Sequence, residues 1–316
     1  MKGKPRSLLG VEPLDSRQIL EILTLARQMN PKRPHVTLRG RRIALLFYEN
    51  STRTRTSFEI AAKLLGASTV VIHATTASIE KGESLKDTGL TLESIVDAIV
   101  MRHPSSGAPD FLSRLISIPI INAGDGMHAH PSQALLDAFT ILQHRKSLKG
   151  LKIVTIGDIY HSRVARSDAH IFSKLGARVV LCGPDVLLPD VARELAPGVE
   201  IVREMDEAVR DADVVMMLRV QQERLSGMQI NVDEYVRRYQ LTMSRLRLAK
   251  KDALVMHPGP MIRGMEMTDE VADCPQSVVL EQVLNGVKVR MAILVTLLNP
   301  SKPKTGSLGT PGGKKQ

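Results

Sequence analysis

The sequence of 316 residues is 43% hydrophobic and 24% charged, which excludes a disordered body and allows two domains, each with its own core. It has no apolar run of the ~20 residues a membrane span needs, no apolar stretch behind the basic Met-Lys-Gly-Lys-Pro-Arg start, and two isolated cysteines, Cys182 and Cys274, so a membrane protein, a signal peptide and a disulfide or cysteine–metal framework are not suggested and a reducing cytoplasm is expected. The net charge of +10 is no nucleic-acid footprint: Lys2, Lys4 and Arg6 supply three charges and Lys302, Lys304, Lys314 and Lys315 four, which leaves about three for the body, and no basic–aromatic interleaving is present.

Apolar strands alternate with helical patterns along nearly the whole chain, which predicts parallel sheets covered by helices. In the first half the strands fall at residues 43–48, 69–72, 98–101 and 119–122. Behind the first of them, Phe58, Ala61, Ala62 and Leu65 recur at helical spacing, with Gly66 placed to end the helix. Residues 131–144 read as a long helix that joins two domains. In the second half the strands fall at residues 152–156, 178–182, 200–202, 214–217 and 254–256, and residues 277–298 are helical up to Asn299-Pro300. From Ser301 the chain is rich in Gly, Lys, Ser and Pro, has little to bury, and is expected to be a disordered tail.

The chemistry starts behind the first strand, where Glu49-Asn50-Ser51-Thr52-Arg53-Thr54-Arg55 leads into a helix. Hydroxyls are normal at a helix start. Two arginines are not, because the positive end of the helix dipole disfavours each by ~0.3–1 kcal/mol. An anion bound there by amides, hydroxyls and guanidinium groups together removes the conflict. Other candidate residues also sit at strand ends, where open α/β sheets bind ligands: Arg102, Arg163 in Gly157-Asp158-Ile159-Tyr160-His161-Ser162-Arg163, and Arg219 with Gln221. At these strand ends a bidentate guanidinium–carboxylate contact is geometrically natural. In His257-Pro258-Gly259-Pro260 the prolines lack N–H groups, so the loop offers mainly carbonyl acceptors. His128-Ala129-His130 imitates a metal pair, but no further ligand cluster follows at metal-like spacing, so no metal is expected. Neither cysteine lies in a motif and there is no Gly-x-Ser-x-Gly elbow, so no covalent nucleophile is evident.

Taken together, these segments resemble the aspartate and ornithine carbamoyltransferase family. Ser-Thr-Arg-Thr-Arg is similar to its carbamoyl-phosphate signature, and the match runs in order over residues 38–299 through Lys81-Gly82-Glu83-Ser84, Val100-Met101-Arg102-His103-Pro104, Asn122-Ala123-Gly124-Asp125-Gly126, His130-Pro131-Ser132-Gln133 and the His257-Pro258-Gly259-Pro260 loop. The resemblance implies an α/β fold of two domains, each a parallel sheet flanked by helices, joined by interdomain helices. Residues 1–131 with 283–300 would bind carbamoyl phosphate and residues 132–282 the amino acid.

It further implies that Ser51, Thr52, Arg53, Thr54 and Arg102 hold carbamoyl phosphate, that His130 donates to its carbonyl oxygen, and that Gln133, Pro258 and Gly259 face its amino group. Arg53, Thr54, Arg102 and His130 would be the catalytic set. Lys81, Arg163, Arg219 and Gln221 would bind aspartate, with Ser78 and Lys81 reaching in from a neighbouring subunit of a homotrimer. Gly259, where ornithine enzymes typically read Cys-Leu, favours aspartate, the acceptor in the committed step of pyrimidine biosynthesis. No cofactor is implied. Regulatory or dihydroorotase-like chains are possible partners; an ornithine enzyme and a non-catalytic relative are the alternatives. Some relatives carry an arginine directly after the last proline of the loop; here Met261 stands there, and Arg263 has no assigned role.

Overall fold

The computed structural model describes residues 7–73, 83–220 and 231–299. Ser78, Lys81, Gln221 and the tail from Ser301 lie outside them. The first half forms a four-stranded sheet from β1 (Arg42–Phe47), β2 (Ser68–His73), β3 (Ala98–His103) and β4 (Ile120–Asp125), in the order β2-β1-β3-β4. The second half forms a five-stranded sheet from β5 (Lys152–Ile156), β6 (Arg178–Cys182), β7 (Glu200–Ile201), β8 (Val214–Met217) and β9 (Leu254–Met256), in the order β7-β6-β5-β8-β9. Every strand pair in both sheets is parallel. All nine expected strands are present.

Two strands run two or three residues past their expected ends, while the other boundaries agree to within one residue. β3 runs on through Arg102 and His103, and β4 through Asp125, because the pairing resumes at His103 and Asp125 after a register shift. Arg102 therefore stands on its strand rather than after it.

The helices of eight or more described residues are α1 (Ser16–Gln28), α2 (Thr52–Leu64), α3 (Leu85–Glu93), α4 (Ala108–Leu115), α5 (Pro131–His144), α6 (Arg163–Lys174), α7 (Val232–Tyr239) and α8 (Val279–Leu298). On α2 the predicted face, Phe58, Ala61 and Ala62, is buried, and Gly66 follows the C-cap Leu65 with a φ of 79°. Both faces of each sheet are covered, so alternate residues of one strand feed different cores. On β1, Ile43, Leu45 and Phe47 enter a central cluster, while Ala44 and Leu46 enter a smaller one with Leu112 on the opposite side. On β8, Val214 and Met216 join the central cluster, whereas Val215 and Met217 pack in a third with Tyr235.

The central cluster thus belongs to both sheets, and Phe58, Phe139 and Phe172 fill it between them, each burial worth about 1.5–3 kcal/mol. Helix α5 is buried from Pro131 to Ile141, and α8 packs on α5, α2 and α1. The polar residues of α5 find partners on α8: Gln282 Nε2 donates to Asp137 at 2.7 Å, Asn285 Nδ2 to Thr140 Oγ1 at 3.1 Å, and His144 meets Glu281 at 2.8 Å. Buried polar groups need such partners, since each left alone costs about 1–3 kcal/mol.

Candidate active site

The two sheets turn their carboxyl edges toward one cavity of about 540 Å³. Strand order reverses between β1 and β3 in the first sheet and between β5 and β8 in the second, and these switch points are where α/β sheets leave a crevice. Ser51, Thr52, Arg53 and Thr54 line the cavity after β1, and Arg102 lines it from β3. Arg163 lines it after β5 and Arg219 after β8. His130 and Gln133 enter from the start of α5, and His257, Pro258 and Gly259 from the loop after β9. The structure therefore brings together all the expected site residues that it describes.

Two helix N-termini open into this space without side-chain caps. Neither Ser51, ahead of α2, nor His130, ahead of α5, makes a side-chain cap bond. Instead Ser51 Oγ accepts from Nη1 of Arg102 at 3.3 Å, and the His130 backbone N–H goes to Ser167 Oγ at 3.0 Å. The first amides of α2 are thus left for a ligand, whereas α5 opens with Pro131, which has no N–H, and the Gln133 N–H goes to the His130 carbonyl at 2.9 Å; both helix dipoles still favour an anion here.

Guanidinium groups dominate the walls. Beside Arg53, Arg102, Arg163 and Arg219 stands Arg290, which the sequence reading did not select. It is buried on α8 with its guanidinium 5.2 Å from the Phe58 ring, and burial pulls it down to about 10 although Asp137 acts the other way. Its sequence signal is a single cation inside Val289-Arg290-Met291-Ala292-Ile293-Leu294. Glu49 is the other unselected residue. Its Oε2 accepts from Arg102 Nε and from Arg163 Nη2, both at 3.0 Å, while Arg163 Nη1 donates to the Gly126 carbonyl at 3.2 Å. An acid immediately ahead of a basic motif at a strand end was the available clue.

Both cavity histidines are neutral. Burial, helped by Arg163, Arg102 and Arg290, holds His130 well below the usual histidine range, and its Nδ1 has no partner among the described residues. Burial with Arg53 and Arg219 pushes His257 down to about 3. Its Nδ1 accepts the Gly259 N–H at 2.9 Å, so the ring proton is on Nε2. His128 instead turns to Asp125, whose Oδ2 lies 3.0 Å from its Nδ1, so the two histidines of the His-x-His pair do not converge. Among the described residues no group of three or more His, Cys, Asp or Glu side chains is placed to hold a metal.

The 257–260 loop closes the cavity against Arg53. Gly259 has a φ of 69°, and a Cβ there would stand 3.2 Å from Arg53 Nε, so glycine serves both the backbone turn and the close approach. The Gly259–Pro260 bond is cis. Arg263 lies away from the cavity, bonded to Asp269 and Asp273.

Fold and cleft together define a two-sheet α/β protein whose cleft, lined by the start of α2 and five arginines, is suited to small polyanions. Comparison with known proteins narrows that class. Residues 6–143 match the family model described as aspartate/ornithine carbamoyltransferase, carbamoyl-P binding domain, and residues 149–297 match the one described as the Asp/Orn binding domain. A relative named aspartate carbamoyltransferase catalytic subunit, from Koribacter versatilis, is 63% identical over 296 residues, covering 93% of this chain and 98% of the relative. One of the same name from Solibacter usitatus is 55% identical, covering 92% and 98%.

Among solved structures, an ornithine carbamoyltransferase from Pyrococcus furiosus superposes with a TM-score of 0.86 at 31% identity, covering 94% of this chain and 98% of that one. Aspartate transcarbamoylase from Trypanosoma cruzi, in complex with carbamoyl aspartate and phosphate, gives 0.85 at 33% identity, covering 93% and 96%. The chain belongs to the aspartate/ornithine carbamoyltransferase family.

Proposed function

We propose that this chain is an aspartate carbamoyltransferase catalytic chain, transferring the carbamoyl group of carbamoyl phosphate to the amine of L-aspartate and releasing phosphate. The observation that carries the reading is the cavity itself, in which the uncapped start of α2 and five arginines face one another across the two sheets. Fold does not choose the acceptor, since aspartate and ornithine enzymes superpose equally well. The choice of aspartate rests on Arg163 and Arg219 in the second half, on Gly259, and on relatives of 55–63% identity that carry the aspartate name.

In this reading Ser51, Thr52, Arg53, Thr54 and Arg102 hold the phosphate. Thr54, Arg102 and neutral His130 donate to the carbonyl oxygen, where charge grows as the amine attacks. Each such donor contributes up to ~3–4 kcal/mol. Gln133 and the carbonyls of Pro258 and Gly259 accept from the amino group. Arg163 and Arg219 take the two carboxylates of aspartate, with Gln221 and Lys81 assigned from sequence alone. The amine attacks directly, a tetrahedral intermediate expels phosphate, and the departing phosphate takes the proton; alignment of both substrates is worth up to ~7–11 kcal/mol.

Residues 1–131 with 283–300 form the carbamoyl-phosphate domain and 132–282 the aspartate domain. Ser78 and Lys81 are supplied by the neighbouring copy in a cytoplasmic homotrimer serving pyrimidine synthesis. The test is direct: purified protein given carbamoyl phosphate with aspartate or ornithine should form N-carbamoyl-aspartate and no citrulline. Abundant citrulline would overturn the choice of acceptor, and no product from either amine would overturn the reaction.

A further inference from the structure

We infer that Asp137 is a positioning residue for recognition of the carbamoyl amino group, because it fixes which end of the Gln133 amide faces the cavity and anchors Gln282 behind the 257–260 loop. The inference rests on the functional reading above and goes beyond it by naming what sets the selectivity of the pocket.

An ionised carboxylate can only accept hydrogen bonds. Asp137, fully buried in α5, accepts from Gln133 Nε2 through both oxygens at 3.1 Å and from Gln282 Nε2 through Oδ1 at 2.7 Å. Both amides must therefore present their oxygens away from it. The Gln282 oxygen accepts the backbone N–H of His257 at 2.9 Å, and His257 Nδ1 in turn accepts from Gly259, which fixes the loop that carries the Pro258 and Gly259 carbonyls. Gln133, one turn before Asp137 on the same helix, lines the cavity with its remaining amide atom, the oxygen. One carboxylate thus arranges acceptors on two sides of the pocket, matched to a ligand with an –NH2 group and mismatched to one with a methyl group in its place.

If Asp137 carried a proton or became an amide, it would gain a donor. Gln133 could then turn over and point its –NH2 into the pocket, where it would oppose the ligand's own donors, whereas Gln282 stays oriented by the His257 N–H. The setting brings that change within reach. Burial pushes Asp137 up to about 7, with Gln282, Gln133 and Arg290 of α8 holding it back. From α6, Asp168 is held well above the usual carboxylate range by burial and by Asp137. His130 ahead of α5 and His257 after β9 are both neutral.

The experiment compares binding of carbamoyl phosphate, acetyl phosphate (methyl for amino) and inorganic phosphate to the wild-type chain and to Asp137→Asn. The expected result is that the preference for carbamoyl over acetyl phosphate falls about tenfold or more while affinity for inorganic phosphate stays within about twofold. An unchanged preference in folded Asp137→Asn overturns the inference. Should that variant fail to fold, the wild-type preference measured from about pH 8.5 to about pH 6 decides, because ionisation of the two phosphates largely cancels in the ratio. It should decline through about pH 7, and a flat ratio overturns the inference. A wild-type chain that binds inorganic phosphate but not carbamoyl phosphate would overturn the functional reading, and this inference with it.

Discussion

Glu49, just past the end of β1, receives Nη2 of Arg163, the first residue of α6, at 3.0 Å and so ties the first sheet's loop to a helix of the second. The same oxygen also holds Arg102. All three side chains are largely shielded, which makes these charge-assisted bonds stronger than surface ion pairs. Glu49→Gln keeps the shape and removes the charge, and it should lower kcat/KM for aspartate by about 10–100-fold, equivalent to about 1.4–2.7 kcal/mol. Phosphate affinity should change by no more than about threefold. Steady-state kinetics in both substrates, with phosphate inhibition, measures both.

Thr54 is buried in the first turn of α2 and lines the cavity. Thr54→Ala should reduce kcat by about 10²–10³-fold with a smaller change in KM, the pattern of a donor used mainly in the transition state. An equal loss in Arg53→Ala, accompanied by weaker phosphate binding, would separate the gripping role of the arginine from the role of the threonine.

At Gly259 an alanine meets two obstacles: a left-handed backbone costing about 1–2 kcal/mol, and Arg53 Nε at 3.2 Å from the added carbon. Gly259→Ala should raise KM for carbamoyl phosphate about tenfold while leaving the fold intact by circular dichroism. A loss in Gly259→Ala/Arg53→Lys smaller than the product of the two single losses would identify the close approach as the cause.

Asp168 gives a pH prediction with a definite sign. Its carboxyl is fully buried, neither oxygen has a partner among the described residues, and its folded-state pKa lies well above the ordinary value. Such an acid leaves stability undiminished below its unfolded pKa of about 4, and stability is progressively lost as pH rises from there toward the folded pKa. Asp168→Asn removes that loss. The variant should melt about 2–4 °C higher than wild type at pH 8, with the difference shrinking toward zero near pH 4. Thermal unfolding at the two pH values checks it.

The strands were legible because a parallel strand covered on both faces is an apolar run, and all nine such runs became strands. The polar ends of β3 and β4 were not, since Arg102, His103 and Asp125 carry no apolar signal although their backbones stay in the ladder. The basic motif gave itself away by conflict with the helix dipole. Glu49, Arg290 and Asp168 gave no such sign. An acid in a strand-to-helix loop reads as solvated, and a cation or acid inside a helix reads as its wet face. Their burial depends on distant residues: Gly286 leaves room for the Arg290 guanidinium, where a Cβ would come within 2.4 Å of Nη1, and Phe58 supplies the ring beneath it. Spacing along one helix does not reveal which other helix will cover it.

The central cluster described above holds Ile43 and Phe58 from one family-model segment and Ile153, Phe172 and Met216 from the other in a single packed body. The two segments are thus matched separately yet share one buried cluster. A fragment cut between them would leave one wall of that cluster bare, with the apolar faces of α5 and α8 turned to water. Each sheet thus relies on the other half of the chain to cover part of its apolar face, and the cleft lies beside that shared packing.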